Sequence, residues 1–251
     1  MNRILFSPEE ITENGTATFD DARAEHVLNV LHGSVGQTLK TGVVDGLIGT
    51  STILGIMPLP SNPETGAMRG RITVQCEHRS RALAPWIDLI LAPPRPRSFK
   101  RLLPQLASLG VRRIVLVGAE KVEKAFWGAQ VLRPEIHRPL FIEGLMQAGT
   151  TAMPSLSIEK SFKRYVDGGR LAEEFAGQKR FVAHPADEAS AADVAVIQRG
   201  DVPVLAVGPE GGWTDAEVSC LEGLGFCRLS LGQRILRTDT ALIALIAKLM
   251  P

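Results

Sequence analysis

The sequence lacks a net charge to speak of: across 251 residues, 28 lysines and arginines meet 27 aspartates and glutamates for a formal charge of +1. No global field advertises a polyanionic partner, so any nucleic-acid contact has to come from local patches. Cysteine is scarce as well. Cys76, Cys220 and Cys227 form neither an even set nor a C-x-x-C pair, and the five histidines are scattered. That argues against a disulfide framework and against a zinc site, and no metal is expected. No apolar run approaches the length of a membrane span, and Met1-Asn2-Arg3 leads at once to Pro8-Glu9-Glu10, which leaves no core for a signal peptide. These gaps point to a soluble protein of the reducing cytoplasm, without membrane contact. Neither G-x-G-x-x-G nor G-x-x-x-x-G-K-[ST] occurs, so the cradles that hold dinucleotides and triphosphates are not expected.

Hydrophobic residues make up 45% of the chain, ample for a packed core. From Arg3 to His78 they come in short stretches broken by glycine: Ile4-Leu5-Phe6, Thr38 to Val44, Leu47 to Ile56 and Arg71 to Cys76. Short strands between turns predict a small β-barrel or sandwich. One helix interrupts it, capped by Asp20 or Asp21, with Ala24, Val27, Leu28 and Leu31 at helical spacing. Pro58 to Gly70 reads as an exposed loop. The domain boundary is set near residue 80, giving a small domain over 1–80 and a larger one over 81–251.

In the second part strands alternate with helices. Trp86 to Leu91, Arg113 to Val117, Arg180 to Ala183 and Val202 to Val207 read as buried strands, with helices at Ser98 to Leu109, Pro134 to Ala148 and Leu171 to Phe175. This rhythm predicts an α/β domain with a mainly parallel sheet covered on both faces. Pro104 is awkward inside the first helix and is expected to kink or shorten it.

The chemistry concentrates near the end of the chain. The strand Val204-Leu205-Ala206-Val207 runs into Gly208-Pro209-Glu210-Gly211-Gly212-Trp213, where three glycines expose backbone donors and Glu210 puts a carboxylate at a strand end. Thr214-Asp215-Ala216-Glu217 has the spacing of a capping box, so a helix starts directly after the loop and stops at Gly225. Taken alone, the loop fits an ordinary glycine-rich connection equally well. A second turn follows: Phe226 to Leu231 reads as a strand, and Gly232-Gln233-Arg234-Ile235-Leu236-Arg237-Thr238-Asp239 opens an apolar helix to Leu249. Arginines, a threonine and an aspartate gathered at a helix N-terminus are more than core packing requires.

V-G-P-E-G-G-W-T-x-x-E-V followed by L-G-x-R-I-L-R-T-D-T-A resembles the signature of the 16S ribosomal RNA (uracil-N3)-methyltransferase family, within the SPOUT superfamily of knotted methyltransferases. The resemblance extends over the chain, through R-I-L-F at Arg3 to Phe6, S-L-G-V-R-R-I at Ser108 to Ile114, and Gly144 to Pro154. It implies an N-terminal PUA-like β-barrel that binds RNA, a trefoil knot in the C-terminal domain, a homodimer, and ribosomal RNA or the small ribosomal subunit as partner. It also implies S-adenosylmethionine as methyl donor, bound by Leu205, Val207 and Gly208-Pro209-Glu210-Gly211-Gly212, by Leu231 and Gly232, and by Ile235, Leu236 and Thr238. Backbone groups suit a neutral adenine edge, which needs no phosphate cradle. In that reaction Arg234 and Arg237 contact RNA phosphate or polarise a uracil carbonyl, and Glu210 orients a ligand or acts as general base, a purely structural hydrogen-bond role for it being weighed equally. Arg95, Arg97, Lys100 and Arg101 are the expected RNA contacts, helped by Arg112, Arg113, Lys121 and Lys124, with ordinary solvated helix and loop charges an equally weighted reading, and Arg3, Arg23 and Lys40 of the first domain are expected to extend the track. His184, beside Pro185 at a strand end, is weighed as a hydrogen-bonded structural histidine.

Where the family carries K-A-T-E-L-G-V this chain reads Gln105-Leu106-Ala107-Ser108-Leu109-Gly110-Val111, and where it carries E-Q-S-x-R the chain reads Met146-Gln147-Ala148-Gly149-Thr150. Two alternatives stay open: a divergent methyltransferase acting on another RNA position, and an RNA-binding module without catalysis.

Overall fold

The computed structural model describes residues 2–185, 197–198 and 200–251, and the chain forms two compact units, residues 1–84 with 142–153 and residues 85–141 with 154–251. The first unit contains β1 (Ile4–Phe6), β2 (Thr16–Phe19), α1 (Ala22–Asn29), β3 (Thr38–Val43), β4 (Ile48–Leu59) and β5 (Arg69–Ser80). They make a five-stranded sheet in the order β1-β3-β4-β5-β2, with β1 parallel to β3 and the other pairs antiparallel. Asp21 caps α1 by accepting from the Arg23 backbone N–H. Its apolar stripe, Ala24, Val27 and Leu28, joins Phe6, Phe19, Ile53, Ile72 and Val74 in the core of this unit.

Two elements differ from expectation. The stretch Pro58 to Gly70 is not all loop, because β4 and β5 continue to pair as far as Pro58 with Gly70 and Leu59 with Arg69. Strand β2 was not anticipated; only Ala17 and Phe19 of its four residues are buried, and it gains its identity from pairing with β5.

The second unit carries a six-stranded, wholly parallel sheet in the order β11-β9-β10-β6-β7-β8. Its strands are β6 (Ile87–Leu91), β7 (Val111–Val117), β8 (Ser155–Glu159), β9 (Arg180–Ala183), β10 (Val204–Val207) and β11 (Phe226–Leu229). The helices are α2 (Pro96–Ser108), α4 (Phe162–Asp167), α5 (Arg170–Glu174), α6 (Asp215–Gly223) and α7 (Thr238–Leu249), while α3 (Pro134–Ala148) starts in this unit and from Ile142 on belongs to the first. Pro104 lies within α2 without ending it, so the expected shortening does not occur. On one face Ile90, Val115, Val182 and Ala206 meet Tyr165, Phe175, Trp213 and Phe226; α2 and α7 pack together and reach β7 and β10. Burial of each such Leu, Ile, Val or Phe contributes about 1.5–3 kcal/mol, which accounts for the continuous apolar character of the central strands.

The exception in that apolar run is Asp88, fully buried on β6. Arg112 donates to it at 2.9 and 2.6 Å, Arg113 at 2.8 Å and Gln178 at 3.2 Å. Arg113 also pairs with Glu174 at 2.9 Å and lies over the Phe175 ring. Among the described residues no helix is long and apolar enough to cross a membrane, and no cluster of His, Cys, Asp and Glu could hold a metal.

Candidate active site

Three strands of the second unit end side by side. Strand β10 occupies the centre of the sheet, between β9 and β6, and β11 flanks β9. In parallel α/β sheets the carboxyl ends of the strands, at the point where the winding reverses, are where ligands bind. Here the turns after β9, β10 and β11 line one cleft of about 310 Å³, closed by Ala241 and Leu245 of α7.

The turn after β10 is shaped by its glycines. A β-carbon on Gly208 would meet the Trp213 backbone nitrogen at 2.8 Å, so only glycine lets the loop fold back this tightly. Gly212, at φ +69°, donates its N–H to Pro209 O at 2.8 Å and closes the turn. Trp213 then drops into the core against Phe162, with ring centroids 5.5 Å apart. The capping box forms as read: Thr214 Oγ1 accepts from Glu217 N at 3.3 Å, and Glu217 Oε2 accepts from Thr214 N at 2.9 Å. The other oxygen of Glu217 accepts from Glu120 N at 2.8 Å, which fastens the start of α6 to the turn after β7.

Two more side chains hold the same loop. Lys121 Nζ donates to Gly211 O at 2.9 Å and to Trp213 O at 3.4 Å. Glu210, exposed to solvent, accepts from Arg95 N at 2.9 Å through Oε1, and Arg95 is the residue before the first turn of α2. Glu210 thus supplies an acceptor for one of the orphan donors at a helix start. Sequence reasoning treated Lys121 as a phosphate contact, and its tie to the loop is long-range, beyond what local spacing can signal.

The turn after β11 is tied from below. Gly232 N donates to Ser230 Oγ at 3.1 Å, and Lys248 of α7 donates to Ser230 O at 2.8 Å. Beyond it residues 232–237 lie open to solvent, and Ile235 is 98% exposed.

Of the residues expected to hold a cofactor, Gly208 to Gly212, Leu231, Gly232, Ile235, Leu236 and Thr238 all line this cleft, joined by Arg234. Leu205 and Val207 do not; their side chains are buried within β10. His184 lines the cleft too, and its backbone N–H donates to Leu229 O at 3.2 Å. Ser230 and Gln233 also line it without having been singled out.

A second cleft of about 530 Å³ adjoins the first. Its walls are the start of α2, with Arg95, Ser98 and Arg101, and the start of α7, with Arg237 and Asp239. The two clefts share Glu210, Ile235, Leu236 and Thr238. Among the described residues Arg234, Arg237, Arg97 and Lys100 make no ion pair, while Arg101 stands 3.4 Å from Asp239 and Arg95 stands 3.5 Å from Glu123.

The remaining basic residues have other partners. Arg112 and Arg113 serve Asp88. In the first unit Arg3 donates to the carbonyls of Gly149, Thr41 and Gly49 at 3.1, 2.7 and 3.0 Å, and burial lowers its pKa. Arg23 donates to Leu5 O at 2.7 Å and pairs with Glu10 and Asp21 at 2.5 and 2.7 Å. Burial acts to lower its pKa, and the two carboxylates more than reverse that and raise it. Both arginines hold the unit together, so the expected RNA track through them loses most of its free donors.

Comparisons with known proteins follow the same outline. A profile described as an RNA methyltransferase domain matches residues 82–250. Ribosomal RNA small subunit methyltransferase E of Treponema pallidum is 29% identical over 245 residues, spanning 97% of this chain and 88% of that protein. Ribosomal RNA small subunit methyltransferase E 1 of Borreliella burgdorferi is 24% identical, over 97% of this chain and 95% of that one. Among solved structures, ribosomal RNA small subunit methyltransferase E from Neisseria gonorrhoeae bound to S-adenosyl methionine gives a TM-score of 0.68 at 22% identity, covering 99% of this chain and 96% of that one. A methyltransferase from Legionella pneumophila, in complex with the same cofactor, gives 0.68 at 24% identity over 99% and 96%. The shared fold is α/β with a mostly parallel sheet.

Proposed function

The chain belongs to the RNA methyltransferase family, and from that premise we propose that it methylates N3 of a uridine in 16S ribosomal RNA, using S-adenosylmethionine as methyl donor. One observation carries the proposal: the turns after β9, β10 and β11, distant in sequence, converge on a single cleft at the carboxyl ends of parallel strands. The residues there fit the donor. The volume, about 310 Å³, lies at the small-molecule end of binding cavities. The lining mixes apolar side chains, Leu231, Leu236 and Leu245, with main-chain groups left bare by Gly208, Gly211 and Gly212. That is the chemistry of a neutral adenine held by backbone.

When bound, S-adenosylmethionine supplies an already activated methyl group, so the protein has to orient and to remove a proton. The two glycine turns bind and exclude water. Glu210 keeps the first turn against α2. Arg234 and Arg237, without ion partners among the described residues, are free to bind RNA phosphate or to draw charge onto a uracil carbonyl. The same proposal includes a trefoil knot, on the resemblance of the V-G-P-E-G-G-W and L-G-x-R-I-L-R-T motifs to knotted methyltransferases. It also includes a PUA-like, RNA-binding first domain, a homodimer to be checked by sedimentation, and a place in the cytoplasm.

Nucleoside mass spectrometry of ribosomal RNA from a strain without this protein tests the whole. Loss of 3-methyluridine is expected; an unchanged profile rules it out. Replacing Arg237 with alanine should lower turnover at least a hundredfold while calorimetry with S-adenosylmethionine stays within a few-fold of the wild type.

A further inference from the structure

We propose that the second cleft seats the target nucleobase and that Asp239, partnered by Arg101, reads its edge and takes its proton. The inference rests on the methyl-transfer reading above. Direct transfer needs the attacking nitrogen within about 3–3.5 Å of the methyl carbon, so the base has to lie against the cofactor cleft. Only shared walls can bring two ligands that close. The second cleft shares Glu210, Ile235, Leu236 and Thr238 with the first, and its volume of about 530 Å³ leaves space for a base turned out of its stack.

The far wall carries a carboxylate beside a guanidinium. Asp239 Oδ2 accepts from Arg101 Nη2 at a long 3.4 Å, and Oδ1 accepts from Thr240 N at 2.9 Å. The long contact keeps the pair together while leaving acceptor capacity and guanidinium donors unsatisfied. Uracil presents acceptor, donor, acceptor along its pairing edge. A carboxylate accepts the central N3–H, and the guanidinium beside it donates to the adjoining carbonyl. Cytosine presents a lone pair at N3, which would face the carboxylate, so the pair discriminates by repulsion as well as attraction. Glu210 stands on the wall shared with the cofactor cleft, its Oε1 accepting from the Arg95 backbone, with no guanidinium paired to it to read the adjoining carbonyl. The exposed Ile235 and Leu236 on the shared wall offer the base an apolar face.

The step balances without another reactant. The N3 electron pair forms the new bond to carbon, the carbon–sulfur bond breaks with its pair remaining on sulfur, and the N3 proton passes to Asp239 and then to water.

The test uses the full chain with Asp239→Asn, Asp239→Glu and Arg101→Ala, each first shown to keep the wild-type melting curve. Calorimetry with S-adenosylmethionine should read within about threefold of wild type in all three. Fluorescence anisotropy with hexauridylate and hexacytidylate, in the presence of S-adenosylhomocysteine, should show a preference for uridine of tenfold or more in the wild type. That preference is expected to vanish in Asp239→Asn, fall in Arg101→Ala and persist in Asp239→Glu. Turnover on ribosomal RNA lacking the modification should fall at least a hundredfold in Asp239→Asn. Undiminished turnover, or uridine preference retained in both Asp239→Asn and Arg101→Ala, overturns the assignment. A wild-type chain that binds no S-adenosylmethionine overturns the methyl-transfer reading instead, and the uridine preference then judges the base seat alone.

Discussion

Glu210 stands at the strand end where catalytic acids are often found, and its hydrogen bond to Arg95 N gives it a fastening role there. A glutamine can make the same bond through its amide oxygen and cannot take a proton. Glu210→Gln should therefore keep turnover within about threefold, whereas loss of a general base costs 10²–10⁴-fold; a steady-state assay separates the two outcomes. Lys121 makes the complementary argument. Its ammonium holds the carbonyls of Gly211 and Trp213, and its stem lies beside Gly211. Lys121→Met keeps the stem and removes the two bonds, so S-adenosylmethionine should bind about tenfold more weakly, near 1.4 kcal/mol, with turnover at saturating cofactor unchanged. An affinity equal to wild type by calorimetry would detach Lys121 from the site.

At the scale of elements, Asp88 joins β6 to β7 through Arg112 and Arg113, and to the turn before β9 through Gln178. Burial raises the pKa of its carboxyl, and the hydrogen bonds and charge of those partners outweigh burial and hold it below the usual range. A depressed native pKa contributes stability above the unfolded value, about 3.9, and that contribution disappears as pH falls through the lower native one. Asp88→Asn should cost about 3 kcal/mol in urea unfolding at pH 7, and the gap from wild type should narrow in acid below that value. A gap independent of pH would mean the charge is not what matters. This network was illegible in the sequence, since one aspartate in an apolar run says nothing of which arginines will reach it. What was legible follows burial. The strands β6, β7, β9 and β10 are built on buried apolar stretches, Leu89 to Leu91, Ile114 to Val117, Phe181 to Val182 and Val204 to Val207, and α7 has both a polar start and an apolar body. Edge elements escaped for the opposite reason: β8 has no buried residue, α4 is a six-residue helix whose apolar face is Phe162 and Tyr165, and both depend on partners far along the chain. The cofactor turns were readable because glycine and capping residues declare local geometry, but the engagement of Glu210, Arg3 and Arg23 by backbone is tertiary.

The whole molecule has a formal charge of +1, so attraction to RNA cannot come from its overall field and must rest on local groups of cations that internal partners leave free. Arg3, Arg23, Arg112 and Arg113 are engaged internally. In the second unit Arg97 and Lys100 are exposed on α2, the helix that brings Ser98 and Arg101 to the second cleft, and have no ion partner among the described residues. Each phosphate neutralised on single-stranded RNA releases counterions and contributes about −0.7 to the slope of log K against log salt. If Arg97 and Lys100 each meet a phosphate, replacing both with alanine should make that slope about 1.4 units shallower and weaken binding at low salt, while the preference for uridine over cytidine stays as it was, because phosphate contacts carry no base information. The measurement is anisotropy of a labelled ribosomal RNA fragment across a salt series. A slope identical to wild type would show that the backbone passes elsewhere, and a change in base preference would show that these two residues touch more than phosphate.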